Sequence, residues 1–212
     1  MGKITGAEAP QDVPAKVKLL YDAVVALIAE DVDVNAISVA TITEKAGIGK
    51  GTAYEYFDSK DEILAFAIIY YTQWAYEKVV EWLEEEPSFS RQIERIFDEM
   101  QKGSPINCQG MRYVHLLTDH SNLSKMITEK MREEPLCHFL PGALLEKMLR
   151  DGIERGEVRD DLPMDYMVNA LLSKLIAYIL CLNPNGIMHV DIEKIRPFVY
   201  QSLLDELCKK NI

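Results

Sequence analysis

"SVATITEKAGIGKGTAYEYFDSKDEIL", residues 38–64, is the stretch from which the fold can be read. Its opening, "SVATITEKA" (38–46), reads as a short helix with Ser38 as N-cap and Val39, Ile42 and Ala46 on one face. Gly47 ends it, because the left-handed position just past a helix is where glycine fits without strain. After Ile48, "GKGTAYEYF" (49–57) makes a second short helix. Gly49 and Gly51 lower its intrinsic propensity, so packing has to hold it. Ser59 and Glu62 then form an S-x-x-E capping box, and a long helix runs over 60–86 to Pro87. The acids Asp61 and Glu62 at its start suit the helix dipole.

Two short helices around a tight glycine turn describe a helix-turn-helix. Spacing alone leaves open a plain helical hairpin in a helical protein. A phosphate-binding loop is the poorer reading, since "GIGKGT" is not G-x-x-x-x-G-K-[ST] and no strand pattern precedes it.

The flanking sequence is helical throughout. In "PAKVKLLYDAVVALIAED" (14–31), Val17, Leu20, Val24, Leu27 and Ile28 follow the amphipathic helix period. Downstream, 90–102, 110–120, 123–133, 142–158 and 165–182 all read as helices, the last apolar on more than one face. An "NPNG" turn (183–186) precedes a final helix within 191–209, where Pro197 must sit near the start or kink it. No strand alternation and no internal repeat is present, so the expected class is all-α with about nine helices.

Length and composition fit this. The 212 residues are 48% hydrophobic and 27% charged, enough to bury a sizeable core. Cys108, Cys137, Cys181 and Cys208 are scattered without a C-x-x-C pair, so neither a zinc site nor a disulfide framework is indicated. Free thiols suit a reducing cytoplasm. "MGKITGAEAPQDVPAK" lacks the apolar core of a signal peptide and matches a myristoylation signal only weakly. The apolar stretch "LIAYILCL" (175–182) is short for a bilayer span, so no membrane partner is expected. The formal net charge of −11 is unlike that of most nucleic-acid binders. Within 38–60, however, Lys45, Lys50 and Lys60 balance Glu44, Glu55 and Asp58.

The residues of the opening stretch closely resemble the DNA-binding signature of TetR-family transcriptional regulators. Ile42, Ala46, Gly47, Ile48, Tyr54, Tyr56, Phe57, Lys60 and Leu64 occupy the signature places. The close match covers about 45 residues from the first helix onward; beyond it the likeness is one of architecture, including "IERGEVRDDLP" (153–163) before two apolar helices. The resemblance implies an N-terminal three-helix DNA-binding domain (12–60) and a larger helical ligand-binding and dimerisation domain (61–212). Three departures stand out: Gly49 where Ser or Thr is usual, Thr43 where Ala is common, and Lys16 and Lys18 in place of an arginine-rich start.

A recognition helix lies in the major groove with its N-terminal residues at base edges. That end is Gly49, Lys50, Gly51 and Thr52. Glycine lets the backbone approach closely, Lys50 can reach a guanine edge or a phosphate, and Thr52 can meet a thymine methyl or donate a hydroxyl. Tyr54, Tyr56 and Lys60 are suited to phosphates, Lys60 beside the exposed N–H groups of the long helix, and the resemblance implies that role for Tyr54 and Lys60. Ser38 can cap its helix and bind a phosphate. Phe57 and Ile42 are expected in the small core.

The resemblance further implies a homodimer through helices near 165–182 and 191–209, acting on a palindromic double-stranded operator. Tyr71, Trp74, Met100, Met111, Tyr113, His115 and Tyr178, with Tyr70, His120 and Met126, are either pocket-lining or core residues. The acidic C-terminal part favours a cationic or neutral small-molecule effector. Effector binding would shift the 60–86 helix and lower DNA affinity, through its different affinities for the two states. The expected function is a ligand-responsive repressor. The alternative is an architectural or protein-interaction member of the same fold with no small-molecule inducer. An all-α enzyme is disfavoured, since no H-E-x-x-H, G-x-S-x-G or nucleotide loop occurs, and no metal or cofactor is expected.

Overall fold

The computed structural model describes residues 3–30, 34–102, 121–182 and 190–209. Among these lie nine α-helices and no strand: α1 Ala15–Ala29, α2 Val39–Ala46, α3 Lys50–Tyr56, α4 Lys60–Glu84, α5 Phe89–Gln101, α6 Asn122–Lys130, α7 Pro141–Glu154, α8 Met164–Leu182 and α9 Ile192–Leu207. The helix expected over 110–120 and the turn at 183–186 fall outside the described residues. The chain forms two compact units, one of Met1–Trp74 with Thr118–Cys137, the other of Ala75–Leu117 with His138–Ile212. The boundary falls within α4, so that helix contributes to both.

In the first unit, α1, α2 and α3 enclose a small core of Val17, Leu20, Tyr21, Val24, Ile42, Ala53, Tyr56 and Phe57, all buried. The Tyr21 ring packs on Phe57 at 6.0 Å and on Tyr70 of α4 at 5.3 Å. Burial, aided by the Glu8 charge, pushes the Tyr21 hydroxyl well above its ordinary pKa and keeps it neutral. The Tyr71 hydroxyl donates to the Asp22 carboxylate, which also pairs with Lys18 at 2.8 Å, tying α4 to α1. Burial first, and that bond second, raise the Tyr71 pKa.

The second unit is built on α5, α7, α8, α9 and the last turns of α4. Its core holds Leu83, Phe89, Ile93, Phe97, Leu149, Met167, Leu171, Tyr178, Leu203 and Leu207. The Phe97 and Tyr178 rings meet edge-on at 4.6 Å. Polar ties lock α9 to its neighbours: Arg196 pairs with Asp98 of α5, while Lys174 and the Tyr166 hydroxyl of α8 both reach Glu206. A short extended clasp closes the unit, with Val158 bridged to Cys208, Arg159 N–H donating to Leu207 C=O at 2.9 Å and Lys209 N–H to Glu157 C=O at 2.9 Å. Pro197 lies inside α9 rather than at its start, at the cost of the bond its missing N–H would give the Glu193 carbonyl.

Helix α8 is long and apolar enough, by length and composition, to cross a membrane, although its apolar run 175–182 alone is not. In the fold, its stripe Met167, Leu171, Leu175, Tyr178 and Ile179 joins the core of the second unit. Only 28% of its apolar window is buried, and Tyr166 and Leu180 stay exposed, as does Phe198 of α9 at 77%.

Candidate nucleic-acid interface

The helix-turn-helix forms as its residues direct. Ser38 caps α2, its Oγ accepting from Thr41 N–H at 3.1 Å. Gly47 takes φ +68°, and its N–H reaches Glu44 C=O while Ile48 N–H reaches Thr43 C=O, which ends α2. No neighbour lies within 4 Å of a Cβ built on Gly47, so positive φ alone asks for glycine there. Thr43, buried at 3% exposure, donates its hydroxyl to Val39 C=O at 2.9 Å and Ala40 C=O at 3.1 Å, which satisfies it in place of the usual alanine. Gly49 stands at the N-cap of α3 with no side-chain bond to the helix.

The capping box at α4 is displaced by one residue from the expected form. Ser59 Oγ accepts from Glu62 N–H at 3.1 Å, but Glu62 reaches back to the N–H of Asp58 at 2.6 Å, not to that of Ser59.

Most of the expected DNA residues share one exposed surface chemistry. Ser38, Gly49, Lys50, Gly51 and Tyr54 are exposed, the last at 51%, and Thr52 and Lys60 are half-buried. Ser38, Gly49–Thr52 and Lys60 thus stand at the starts of α2, α3 and α4, where the positive dipole ends lie. Tyr56 is a correction. It is 1% exposed and belongs to the small core. Ala53, Tyr56 and Phe57 follow the i, i+3, i+4 period that faces α1, which leaves Tyr54 on the outer side.

Of the expected effector residues, Tyr71, Trp74, Met100 and Tyr178 are among the described ones. Met100 and Tyr178 are core residues of the second unit, at 4% and 1% exposure. The Tyr178 hydroxyl is buried without a hydrogen-bond partner among the described residues, and burial raises its pKa. Tyr71 and Trp74 belong to the first unit, where their rings meet edge-on at 6.4 Å. Met111, Tyr113, His115 and His120 lie outside the described residues. A cavity of about 190 Å³ in the second unit is lined instead by Leu83, Gln92, Met148 and the charged Glu84, Lys147 and Arg155, none of which the sequence reading singled out. Its residues come from α4, α5 and α7, far apart in sequence, and only packing reveals it.

The comparisons with known proteins agree with this geometry. Residues 20–66 match the family model of bacterial regulatory proteins, tetR family. No curated protein matches the chain. Among solved structures, the fatty acid degradation regulator FadR from Bacillus halodurans is 20% identical with a TM-score of 0.65, covering 92% of this chain and 97% of that one. FadR from Bacillus subtilis, solved in complex with stearoyl-CoA, is 19% identical with a TM-score of 0.63, covering 88% and 97%. E. coli NemR in its reduced form is 13% identical with a TM-score of 0.70, covering 94% and 100%. At these identities the structures speak for the fold alone. Residues 20–66 thus match the DNA-binding region of the tetR family of bacterial regulatory proteins, and the chain shares its fold with solved structures of TetR-type regulators.

Proposed function

We propose that the protein is a homodimeric, ligand-responsive repressor that binds a palindromic DNA operator in the cytoplasm and has no catalytic role. The carrying observation is the first turn of α3. Gly51 sits inside a helix, where glycine costs about 1 kcal/mol relative to alanine. No neighbour lies within 4 Å of a Cβ on Gly51 or on Gly49, and neither has positive φ. Among the described residues nothing asks for glycine at Gly51, and on this reading its use lies outside, where a bare backbone can approach a base-pair edge closely. Lys50 and Thr52 beside it read bases, while Ser38, Tyr54 and Lys60 hold phosphates.

The uncovered apolar faces of α8 and α9, with Leu180 and Phe198 exposed, support dimerisation through helices 165–182 and 191–209. Two readers about 34–36 Å apart then meet successive major grooves. This offsets a helix-turn-helix of zero net charge over 38–60, whose affinity for DNA is modest and salt-sensitive. On this reading the DNA-binding domain spans 12–60 and the effector and dimer domain 61–212. The effector acts in that larger domain. Lys147 and Arg155 among Glu84, Glu86 and Asp151 make the 190 Å³ cavity a place for a small polar molecule rather than for a long acyl chain. FadR from Bacillus subtilis binds stearoyl-CoA, and a larger acyl effector is therefore the competitor to try.

The test is selection of binding sites from random double-stranded DNA by the full chain, followed by competition with cationic, neutral and acyl-CoA compounds. Enrichment of a palindrome is the expected result. Enrichment of no sequence refutes sequence-specific binding, and operator affinity unmoved by every compound favours the architectural alternative.

A further inference from the structure

The segment before α1 lies outside the family match, yet it closes over the end of the recognition helix. Lys3 Nζ donates to Tyr54 C=O at 2.9 Å and to Phe57 C=O at 3.0 Å, and pairs with Asp58 Oδ1 at 2.7 Å. Next to it, Ile4 N–H donates to Tyr56 C=O at 3.1 Å. Three carbonyls at the C-terminal end of α3 are therefore held by two residues some fifty positions earlier. The segment is itself pinned. Gly6 takes φ +78° and lies so close to the Phe66 ring that a Cβ there would come within 2.5 Å of it. The Glu8 carboxylate accepts from Thr5 N–H at 2.7 Å and Gly6 N–H at 2.9 Å, which fixes the bend.

Helix α3 needs such support. It has seven residues, far fewer than an isolated helix requires in water. Its N-cap, Gly49, makes no side-chain bond, and Gly51 weakens its interior. A cation at the opposite end satisfies the last carbonyls and complements the negative end of the dipole.

We propose that Lys3 is a positioning residue for DNA recognition: its ammonium clamps the C-terminal end of α3 and so sets the orientation of Tyr54 and of the Gly49–Thr52 turn. This deepens the DNA-binding reading and rests on it. Lys3 keeps 47% of its side chain exposed, so the rival role to be separated is a direct phosphate contact.

The experiment compares the full-length wild type with Lys3→Ala and Lys3→Arg on the operator that the wild type selects. For a positioning residue, Lys3→Ala weakens binding roughly two- to tenfold, the worth of one net hydrogen bond, and Lys3→Arg restores most of it. The slope of log affinity against log salt stays that of the wild type. In the free protein, amide exchange in α3 speeds up in Lys3→Ala, stays slow in Lys3→Arg, and is unchanged in the second unit. A salt slope lower by about 0.9 overturns the proposal in favour of a phosphate contact. Unchanged operator affinity in Lys3→Ala overturns it as well, whatever the exchange shows. If the wild type selects no DNA, the functional reading fails by itself, while unchanged α3 exchange in Lys3→Ala separately refutes the clamp.

Discussion

Replacing Gly152 by alanine sets two effects of opposite sign against each other. Gly152 lies in α7, and alanine in a helix interior is favoured over glycine by about 1 kcal/mol. Against this, the new Cβ would stand 2.5 Å from Val158 Cγ2, 3.3 Å from Val158 Cβ and 3.5 Å from Phe89 Cβ. Carbon atoms pack at about 3.5–4.0 Å, so the closest approach is short by about 1 Å. Val158 cannot swing away. It is fully buried, its β-branched side chain is stiff, its N–H donates to Gly152 C=O at 3.1 Å, and it is bridged to Cys208 on the other side. Overpacking of this kind costs about 1–3 kcal/mol, and the size of the overlap puts it in the upper part. The net expectation is destabilisation by about 1–2 kcal/mol, read as a lower midpoint with unchanged m-value in urea denaturation. The sharper readout is a double-mutant cycle. In a Val158→Ala background the Cγ2 clash is gone, so Gly152→Ala should turn neutral to stabilising, by up to about 1 kcal/mol. A Gly152→Ala protein more stable than wild type, or the same cost in both backgrounds, refutes the argument that Val158 dictates the glycine.

Gly51→Ala should raise stability by up to about 1 kcal/mol, since a Cβ there meets nothing, yet weaken operator binding; affinity that rises with stability would show that no close backbone approach is used. Tyr54→Phe combined with Lys60→Ala should weaken all DNA sequences alike and lower the salt slope by about one, measured by titration at several salt concentrations, whereas a changed sequence preference would refute their phosphate roles. Glu206 gives a pH prediction: its bonds from Lys174, first, and from the Tyr166 hydroxyl hold its carboxyl below the ordinary carboxylate value. A depressed carboxylate pKa contributes stability that is present above the unfolded value near 4.3 and is lost as pH falls through the folded one. Denaturation below about pH 4.5 should therefore cost the wild type a few tenths to about 1 kcal/mol more than Glu206→Gln, and parallel pH profiles would remove the tie from the account.

Much of this protein was legible because its signals are local. A helix N-cap, a positive-φ turn and an apolar stripe each act within a few residues, so Ser38, Gly47 and the α1 face Val17, Leu20, Val24 and Leu27 were readable from the chain. The place of Tyr56 was the harder case. Tyr54 and Tyr56 are chemically alike and two apart on a seven-residue helix, and only the side on which α1 packs separates the wet ring from the buried one. For Met100 and Tyr178, buried in the second unit, the difficulty is related: a stripe at helical spacing says that a face is covered, not whether a neighbouring helix or a cavity covers it.

By itself, then, the sequence determined the all-helical class, the helix-turn-helix with its glycine turn, and the exposed chemistry of the α3 start, because hydrogen bonds and side-chain periods within one or two turns specify them. Only the tertiary structure decided the rest: the Lys3 clamp across some fifty residues, the Gly152–Val158 approach beside the Cys208 bridge, and the cavity among α4, α5 and α7. Each depends on groups brought together by packing of distant segments, where distances of tenths of an ångström set the sign of the effect and no local pattern encodes them.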